Sequence, residues 1–187
     1  MSFSQINEHI EVIIKLEKYL MPDITKFFEI AYETLQNNKT IFFCGNGGSA
    51  ADCQHIAAEL VGKFQKERRG LPAIALTTDT SIITSVGNDY GFESLYSRQV
   101  EALVRAGDAL VGISTSGNSL NVVKAIELAK EKGAFTIGLT GQNACKLEQA
   151  ADLCLKVPSN VTARVQEVHI LIGHIICDML EKAMFDV

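Results

Sequence analysis

A run of hydroxyl side chains stands between an apolar segment and a helical pattern. It is STSGNS at 114–119, preceded by ALVGI and followed by LNVVKAIELAKEK. Free backbone N–H groups at a helix N-terminus, the helix dipole and several hydroxyl donors together make a cradle for an anion such as a phosphate monoester. An ordinary strand-to-helix turn capped by Ser116 or Ser119 is the alternative interpretation. The number of hydroxyls favours a phosphate site.

A glycine-rich turn, GNGGSA at 45–50, follows an earlier apolar segment. It fits the dinucleotide pattern G-x-G-x-x-A, but that pattern also needs an acidic residue about 20 positions later. Asp79 comes more than 30 residues after Gly45, so nicotinamide binding is only a minor alternative. The glycines still let a ligand approach the backbone, and Asn46 can hydrogen-bond a sugar hydroxyl.

The segment after the glycine turn contains candidate metal ligands. His55 and Glu59 are four residues apart and therefore share one face of a helix, with Asp52 one turn earlier. A surface ion pair is the simpler interpretation of this spacing when it is taken alone. Its position beside the glycine turn favours a functional interpretation.

The last helical segment places Gln166, His169 and His174 among aliphatic residues. A single histidine in such surroundings is more often a satisfied core residue than a ligand. Gln166 and His174 are eight residues apart, about 12 Å along a helix, so both would reach one ion from the same copy only with strain. We therefore expect a neighbouring subunit to supply one of them, which would make oligomerisation part of the site.

Two further polar segments complete the set of candidates. Asn88 and Asp89, in GNDYGF, could hold sugar hydroxyls, although turn formation explains them equally well. We interpret Arg68 and Arg69, in KERRG, as a solvated charge cluster.

Short apolar runs alternating with helical patterns must position these residues. Five runs predict strands that are buried on both faces and therefore parallel, at 41–44, 73–76, 109–113, 135–139 and 153–157. Helical patterns cover about 49–63, 79–105, 119–132, 145–151 and 161–185, and two more helices precede the first strand. We expect a single domain over 1–187: N-terminal helices at 1–38 and, at 39–187, a doubly wound αβα sandwich with a five-stranded parallel sheet. Ligands of such sheets bind at the carboxyl ends of the strands, where both turns would converge.

The composition restricts the class of protein. A chain of 187 residues with 47% hydrophobic residues can bury one sizeable core. A net charge of −5 offers no basic field, so we expect no nucleic-acid partner. Five cysteines without a CxxC pair, charges throughout the first 20 residues and the lack of a long apolar run predict a cytoplasmic protein with no membrane partner.

Four segments together resemble one family. They are FFCGNGGSAADCQHIAAEL, VGNDYGFESLYSRQVEAL, GDALVGISTSGNSLNVVKAIELAKEKG and RVQEVHILIGHIICDMLE. Over nearly the whole chain they are similar to the sugar-isomerase (SIS) superfamily and, within it, to the phosphoheptose isomerases. The resemblance implies the SIS fold and isomerisation of D-sedoheptulose 7-phosphate to D-glycero-D-manno-heptose 7-phosphate. This reaction begins bacterial heptose synthesis for surface polysaccharide such as lipopolysaccharide or capsule. It also implies cytoplasmic homotetramers with sites at subunit contacts.

The resemblance further implies site residues at matching positions. A zinc ion would be held by His55, Glu59, Gln166 and His174. The sugar phosphate would contact Asn46, Gly47, Gly48, Glu59, Asn88, Asp89, Ser114, Thr115, Ser116, Ser119 and Gln166. An aldose–ketose shift through an enediol needs a base at carbon and an acid or metal at the developing oxyanion. Glu59 suits the role of base and His174 that of acid.

Two departures from the family pattern concern fine contacts. Relatives often carry arginine at the position of Lys63, and an acidic residue at the position of Ala163. Lysine keeps the charge but loses the bidentate fork.

Two other functions are also open: a non-catalytic SIS tetramer that binds a replication-initiator protein, and a sugar-phosphate-sensing regulator. Both would lack turnover, and the presence of Glu59, Gln166 and His174 argues against the first.

Overall fold

Five parallel strands form one sheet in the computed structural model, which describes residues 3–185. The strands are β1 (Ile41–Gly45), β2 (Ala73–Ala75), β3 (Ala109–Ile113), β4 (Phe135–Gly141) and β5 (Leu153–Val157). Their spatial order is β2-β1-β3-β4-β5, and every neighbouring pair is parallel. The expected five-stranded parallel sheet is confirmed. The domain expected at 1–187 extends two residues beyond the described range at each end.

Eight α-helices surround this sheet in the described part of the chain. They are α1 (Ser4–Tyr19), α2 (Met21–Gln36), α3 (Gly48–Val61), α4 (Thr80–Asp89), α5 (Leu95–Leu103), α6 (Leu120–Glu131), α7 (Lys146–Ala150) and α8 (Thr162–Phe185). Local sequence explains several boundaries. Pro22 stands in the first turn of α2, where its missing N–H costs nothing. The Asp79 side chain accepts a hydrogen bond from the backbone N–H of Ile82 and so caps α4.

Apolar side chains of the strands alternate between two cores, one on each face of the sheet. Phe43 packs into the core shared with α1, α2, α3 and α8. Phe42 and Cys44 pack into the opposite core, shared with α4, α5, α6 and α7. The α8 helix therefore lies on the same side of the sheet as α3. This arrangement brings the two helices that carry the candidate metal ligands against each other.

Two expectations about the elements need correction. Only the three central strands are buried on both faces, whereas the edge strands β2 and β5 alternate between buried and more exposed residues. The continuous helical pattern at 79–105 is divided into α4, a 3-10 helix at Phe92–Ser94, and α5. Gly91 has a φ of +82°, which an α-helix cannot continue, so the chain turns there.

The outer face of α1 is unusually apolar. It exposes large side chains at helical spacing, namely Phe3, Ile6, Ile10 and Ile14, while Val12 and Leu16 are buried. Among the described residues, no helix combines the length and the apolar character that crossing a bilayer requires.

Candidate active site and metal centre

The glycine turn (residues 45–50) and the serine turn (residues 114–119) lie side by side. Gly45 and Ile113, the last residues of β1 and β3, are direct partners in the sheet register. The chain leaves β1 towards β2 on one side and returns to β3 on the other. This is the switch point at which open parallel sheets bind ligands. The convergence of the two turns is thus confirmed.

The hydroxyl groups of the serine turn are available to bind a ligand. The Oγ atoms of Ser114 and Ser119 lie 3.0 Å apart, and Ser116 Oγ accepts a hydrogen bond from the backbone N–H of Asn118. Ser119 is the N-cap residue of α6, yet its side chain makes no capping hydrogen bond. These hydroxyls and the helix N-terminus therefore remain suited to an anion.

Glycine is required inside this turn. Gly117 has a φ of +65°, and a Cβ there would lie 2.2 Å from Cys145 Sγ. Its carbonyl also accepts a hydrogen bond from the N–H of Leu147 in α7. The turn is consequently tied to α7.

A small polar cavity opens beside the turn. Its volume is about 170 Å³, and its walls come from the turn, from the loops that follow β4 and β5, and from the start of α8. The lining residues are Thr115, Ser116, Gly141, Gln142, Asn143, Ser159, Asn160, Thr162 and Val165. A larger groove of about 490 Å³, against α5, is lined by none of the predicted site residues.

Asn46 is held by other side chains of the same chain. Its amide exchanges two hydrogen bonds of 2.9 Å with the amide of Asn121. The hydroxyl of Tyr96 donates to the carbonyl of Gly45 and to Asn46 Oδ1. Sequence reasoning missed Asn121 and Tyr96, since both lie far from Asn46 along the chain. The next residue, Gly47, has a φ of +57° and begins the turn into α3.

Three of the four predicted metal ligands converge. His55 Nε2 lies 3.2 Å from Glu59 Oε1, and the rings of His55 and His174 have centroids 5.1 Å apart. One ligand atom from each of the three residues lies within 4.8 Å of the others. Two imidazoles and a carboxylate form a typical donor set for a catalytic transition-metal site with an open position. These residues therefore fit a metal ion.

Asp52 approaches this cluster from the preceding turn of α3. Its Oδ2 atom is buried and has no hydrogen-bond partner among the described residues. Burial raises the pKa of the Asp52 carboxyl, while the imidazoles of His55 and His174 act in the opposite direction. An unsatisfied buried carboxylate oxygen is costly unless a partner approaches it. Asp52 Oδ2 is therefore suited to accept a hydrogen bond from the N–H group of a metal-binding imidazole.

Gln166, the fourth predicted ligand, lies at the other end of α3. A Cβ on Gly48 would be 2.6 Å from Gln166 Nε2, so the glutamine side chain rests on the first residue of α3. Glu59 comes eleven residues later in that helix, about 16 Å along its axis. The structure thus divides the predicted site residues between two ends of the α3–α8 pair.

Asn88 and Asp89 occupy the last turn of α4. Both are exposed, and the Asn88 amide donates a hydrogen bond of 2.7 Å to the Asp89 carboxylate. A turn was the alternative interpretation of these two residues, whereas the helix continues to Asp89 and the turn begins at Tyr90. The structure brings neither residue into contact with the metal-ligand cluster.

The interpretation of Arg68 as a solvated charge is wrong. Its side chain is 2% exposed, and its Nε donates to Glu181 Oε1 at 2.9 Å. Sequence reasoning missed Glu181 as well, because 113 residues separate the two. Arg69 is exposed, as predicted.

His169 is a core histidine. It is fully buried, with Nε2 3.4 Å from the carbonyl oxygen of Thr140, while Nδ1 has no partner among the described residues. Burial lowers the pKa of His169 to about 4. The ring is consequently neutral near pH 7 and takes no part in the metal-ligand cluster.

Known proteins with similar sequences and structures match nearly the whole of this chain. Residues 4–141 match the model of the SIS domain family. The phosphoheptose isomerase of Geotalea daltonii is 55% identical over 182 residues, 97% of this chain and 95% of that protein. The solved phosphoheptose isomerase from Neisseria gonorrhoeae is 46% identical, with a TM-score of 0.90 over 96% of each chain. The one from Francisella tularensis is 38% identical, with a TM-score of 0.93 over 96% of this chain and 95% of that one.

Proposed function

This chain belongs to the phosphoheptose isomerase family of SIS-domain proteins, and we propose that it isomerises D-sedoheptulose 7-phosphate to D-glycero-D-manno-heptose 7-phosphate. The convergence of His55, Glu59 and His174 is the observation that carries the proposal. It joins a carboxylate and two imidazoles from different helices. The reaction would begin heptose synthesis for surface polysaccharide.

The proposed chemistry moves two protons of the sugar, one between adjacent carbons and one between the oxygens that those carbons carry. Glu59 removes the proton from carbon 1 and returns it to carbon 2. His174 protonates the oxygen on carbon 2 as the enediol forms and then accepts the proton of the hydroxyl on carbon 1 as the aldehyde forms. Both groups can act on adjacent atoms of one bound sugar, because their ligand atoms lie within 4.8 Å of each other although Glu59 lies on α3 and His174 on α8. Both residues carry the groups that an enediol pathway requires.

We propose that zinc is the metal of the His55, Glu59 and His174 cluster. When bound, zinc would act as a Lewis acid that stabilises negative charge on the sugar oxygens. The donor set supports this assignment, since imidazole and carboxylate are common zinc ligands. Gln166 is the proposed fourth ligand.

The phosphate group would bind at the serine turn. Ser114, Thr115, Ser116 and Ser119 supply hydroxyls beside the N-terminus of α6. Asn46, Gly47 and Gly48 would contact the sugar from the glycine turn, with Asn88 and Asp89 as further sugar contacts. The closeness of the two turns supports this arrangement.

We further propose a homotetramer with sites at subunit contacts. Gln166 and the glycine turn lie at one end of α3, and Glu59 lies about 16 Å further along the helix axis. A catalytic base must reach within about 3 Å of its proton. A second copy could bring its own Glu59 to the phosphate-binding end. The exposed apolar stripe of α1 supports association, because monomers seldom leave such a stripe in water.

A mixing experiment tests the function and the shared site together. Chains carrying Glu59→Gln and chains carrying Ser114→Ala with Ser116→Ala should each be inactive towards sedoheptulose 7-phosphate. If the site combines two copies, random mixed assembly should restore about a quarter of the sites. Mixed oligomers without recovered turnover would reject the shared site. Wild-type protein that forms no aldoheptose phosphate would reject the function itself.

We place the protein in the cytoplasm. All five cysteines are unpaired, and four of them are buried. Free buried thiols suit a reducing compartment. Burial raises the pKa of Cys44, Cys154 and Cys177 to about 12, so these thiols stay protonated and unreactive.

A further inference from the structure

The loop between α3 and β2 is fastened to α8 by one buried ion pair. Residues 62–70 of this loop, which we call the strap, include Arg68. The side chains of Arg68 and Glu181 are 2% and 3% exposed, and Arg68 Nε lies 2.9 Å from Glu181 Oε1. Removing two charges from water is costly, and well-packed apolar residues often stabilise a fold equally well. The contacts of each partner indicate what this pair does.

Glu181 holds the strap through its backbone. Its carboxylate accepts hydrogen bonds from the N–H groups of Phe64, Gln65 and Lys66, at 3.3, 2.8 and 2.9 Å. Burial alone would raise the pKa of Glu181, but these N–H groups and Arg68 hold it below its ordinary value. The carboxylate is therefore ionised at neutral pH, and it binds three consecutive backbone N–H groups of the strap.

Arg68 holds the end of α3. Its Nη2 donates to the carbonyl of Glu59, and its Nη1 donates to the carbonyl of Leu60, each at 2.8 Å. Carbonyl groups in the last turn of a helix have no intrahelical partner, and a cation there is favourable. Arg68 thus fixes the backbone of the residue that we propose as the catalytic base.

Phe64 carries the same restraint to the other helix. Its ring stacks on the imidazole of His174, with centroids 5.6 Å apart and an interplanar angle of 28°. The backbone N–H of Phe64 is one of the groups that Glu181 binds. A single ion pair therefore fixes the backbone of Glu59 and places a ring against His174.

We infer that Arg68 and Glu181 are positioning residues for the His55, Glu59 and His174 cluster, and that Phe64 transmits their effect to His174. The inference rests on the proposed function of that cluster. Neither charged side chain is exposed enough to contact a ligand directly. Arginine is needed at position 68 because its planar fork reaches Glu181 and several carbonyls at once, which lysine cannot do.

The test compares two variants of the proposed positioning residues with one control variant. Phe64→Leu removes the stacked ring but leaves the strap backbone and the ion pair in place. Arg68→Lys keeps the charge but loses the fork. Arg98→Lys is the control, because Arg98 forms an exposed pair with Glu101 on α5. For each protein, kcat and KM for sedoheptulose 7-phosphate are measured, together with zinc affinity by chelator competition and the melting temperature of the metal-free protein.

Substitution of a residue that orients a metal ligand typically lowers metal affinity or activity by about 10–100-fold. We expect Phe64→Leu to lower kcat and zinc affinity about tenfold, with KM and the metal-free melting temperature almost unchanged. Arg68→Lys should lower both at least as much, and Arg98→Lys should lower neither. If Phe64→Leu and folded Arg68→Lys keep normal kcat and zinc affinity, the inference is overturned. The measurement of zinc affinity distinguishes failure of this inference from failure of the proposed function. It tests the positioning of the metal ligands even if the wild-type protein does not turn over this sugar.

Discussion

The side-chain amide of Gln166 rests directly on the α-carbon of Gly48. A Cβ at position 48 would lie 2.6 Å from Gln166 Nε2 and 3.2 Å from its Cδ, so no other residue fits without moving the glutamine. A side chain of α8 therefore packs against the first residue of α3. This contact joins the glycine turn to the helix that carries His174.

We predict that Gly48→Ala displaces Gln166 and weakens substrate binding. The added methyl group overlaps the amide, which must then turn away from the glycine turn. Steady-state kinetics should show a rise in KM of tenfold or more, with a small change in melting temperature. Gly87→Ala is the control, because a Cβ there meets nothing within 4 Å and alanine favours helix. An unchanged KM for Gly48→Ala would argue against a role for Gln166 in binding.

Glu59→Gln and His174→Gln should each lower turnover by orders of magnitude. Glutamine keeps the approximate size of both side chains but supplies neither a base nor a titratable acid. Circular dichroism and melting temperature should remain near the wild-type values, because neither side chain is deeply buried. Near-normal turnover in both variants would overturn the assigned roles.

Removing the metal should also lower turnover. We expect dialysis against a chelator to reduce kcat at least tenfold and added zinc to restore it, because the cluster then regains its Lewis acid. Activity that survives chelation, with zinc shown to be absent by elemental analysis, would remove the metal from the mechanism.

Asp52→Asn should weaken zinc binding without abolishing folding. The buried Oδ2 of Asp52 lies close to the imidazoles of His55 and His174 and has no other partner among the described residues. A carboxylate beside a ligand histidine orients the ring and increases its basicity. Chelator competition should show a loss of about 10–100-fold in zinc affinity. Glu67→Gln, which alters an exposed pair with Lys63, should show none.

His169 should make the protein less stable in mild acid. Its folded-state pKa is about 4, below the ordinary value of 6.5, so the unfolded chain binds more protons between these values. Stability from this group is complete above about pH 6.5 and falls as pH decreases towards 4. Between pH 7 and pH 5 the loss should be about 2 kcal/mol.

Urea unfolding at both pH values, at one protein concentration, measures this loss. In His169→Asn the difference between pH 7 and pH 5 should shrink by about the same amount. An identical difference in both proteins would assign the acid sensitivity to other groups.

Local sequence was sufficient for the elements and for the serine turn. The strands at 109–113 and 153–157 were predicted with their observed bounds, since buried apolar runs end where polar turn residues begin. The helical pattern at 79–105 ran through the break at Gly91 because hydrophobic spacing continues across it, although GNDYGF had offered a turn as an alternative.

Long-range pairing limited the prediction of the site. Arg68 stands in a polar run, and only the folded chain brings Glu181 to it from α8. Asn46 similarly meets Asn121 across 75 residues. The spacing of Gln166 and His174 did predict that the two could not easily share one ion within one copy. The structure places them at different ends of α3.

The α8 helix carries Gln166, His169, His174 and Glu181 along one uninterrupted stretch of 24 residues. Each residue of an α-helix turns the next by about 100°, so a single inserted or deleted residue between 166 and 181 would turn one part of this set away from the other. Insertions and deletions in homologous chains should therefore be confined to the loops and to the N-terminal end of α1. Between positions 166 and 181, we expect homologous genes to differ by substitution and never by a gap.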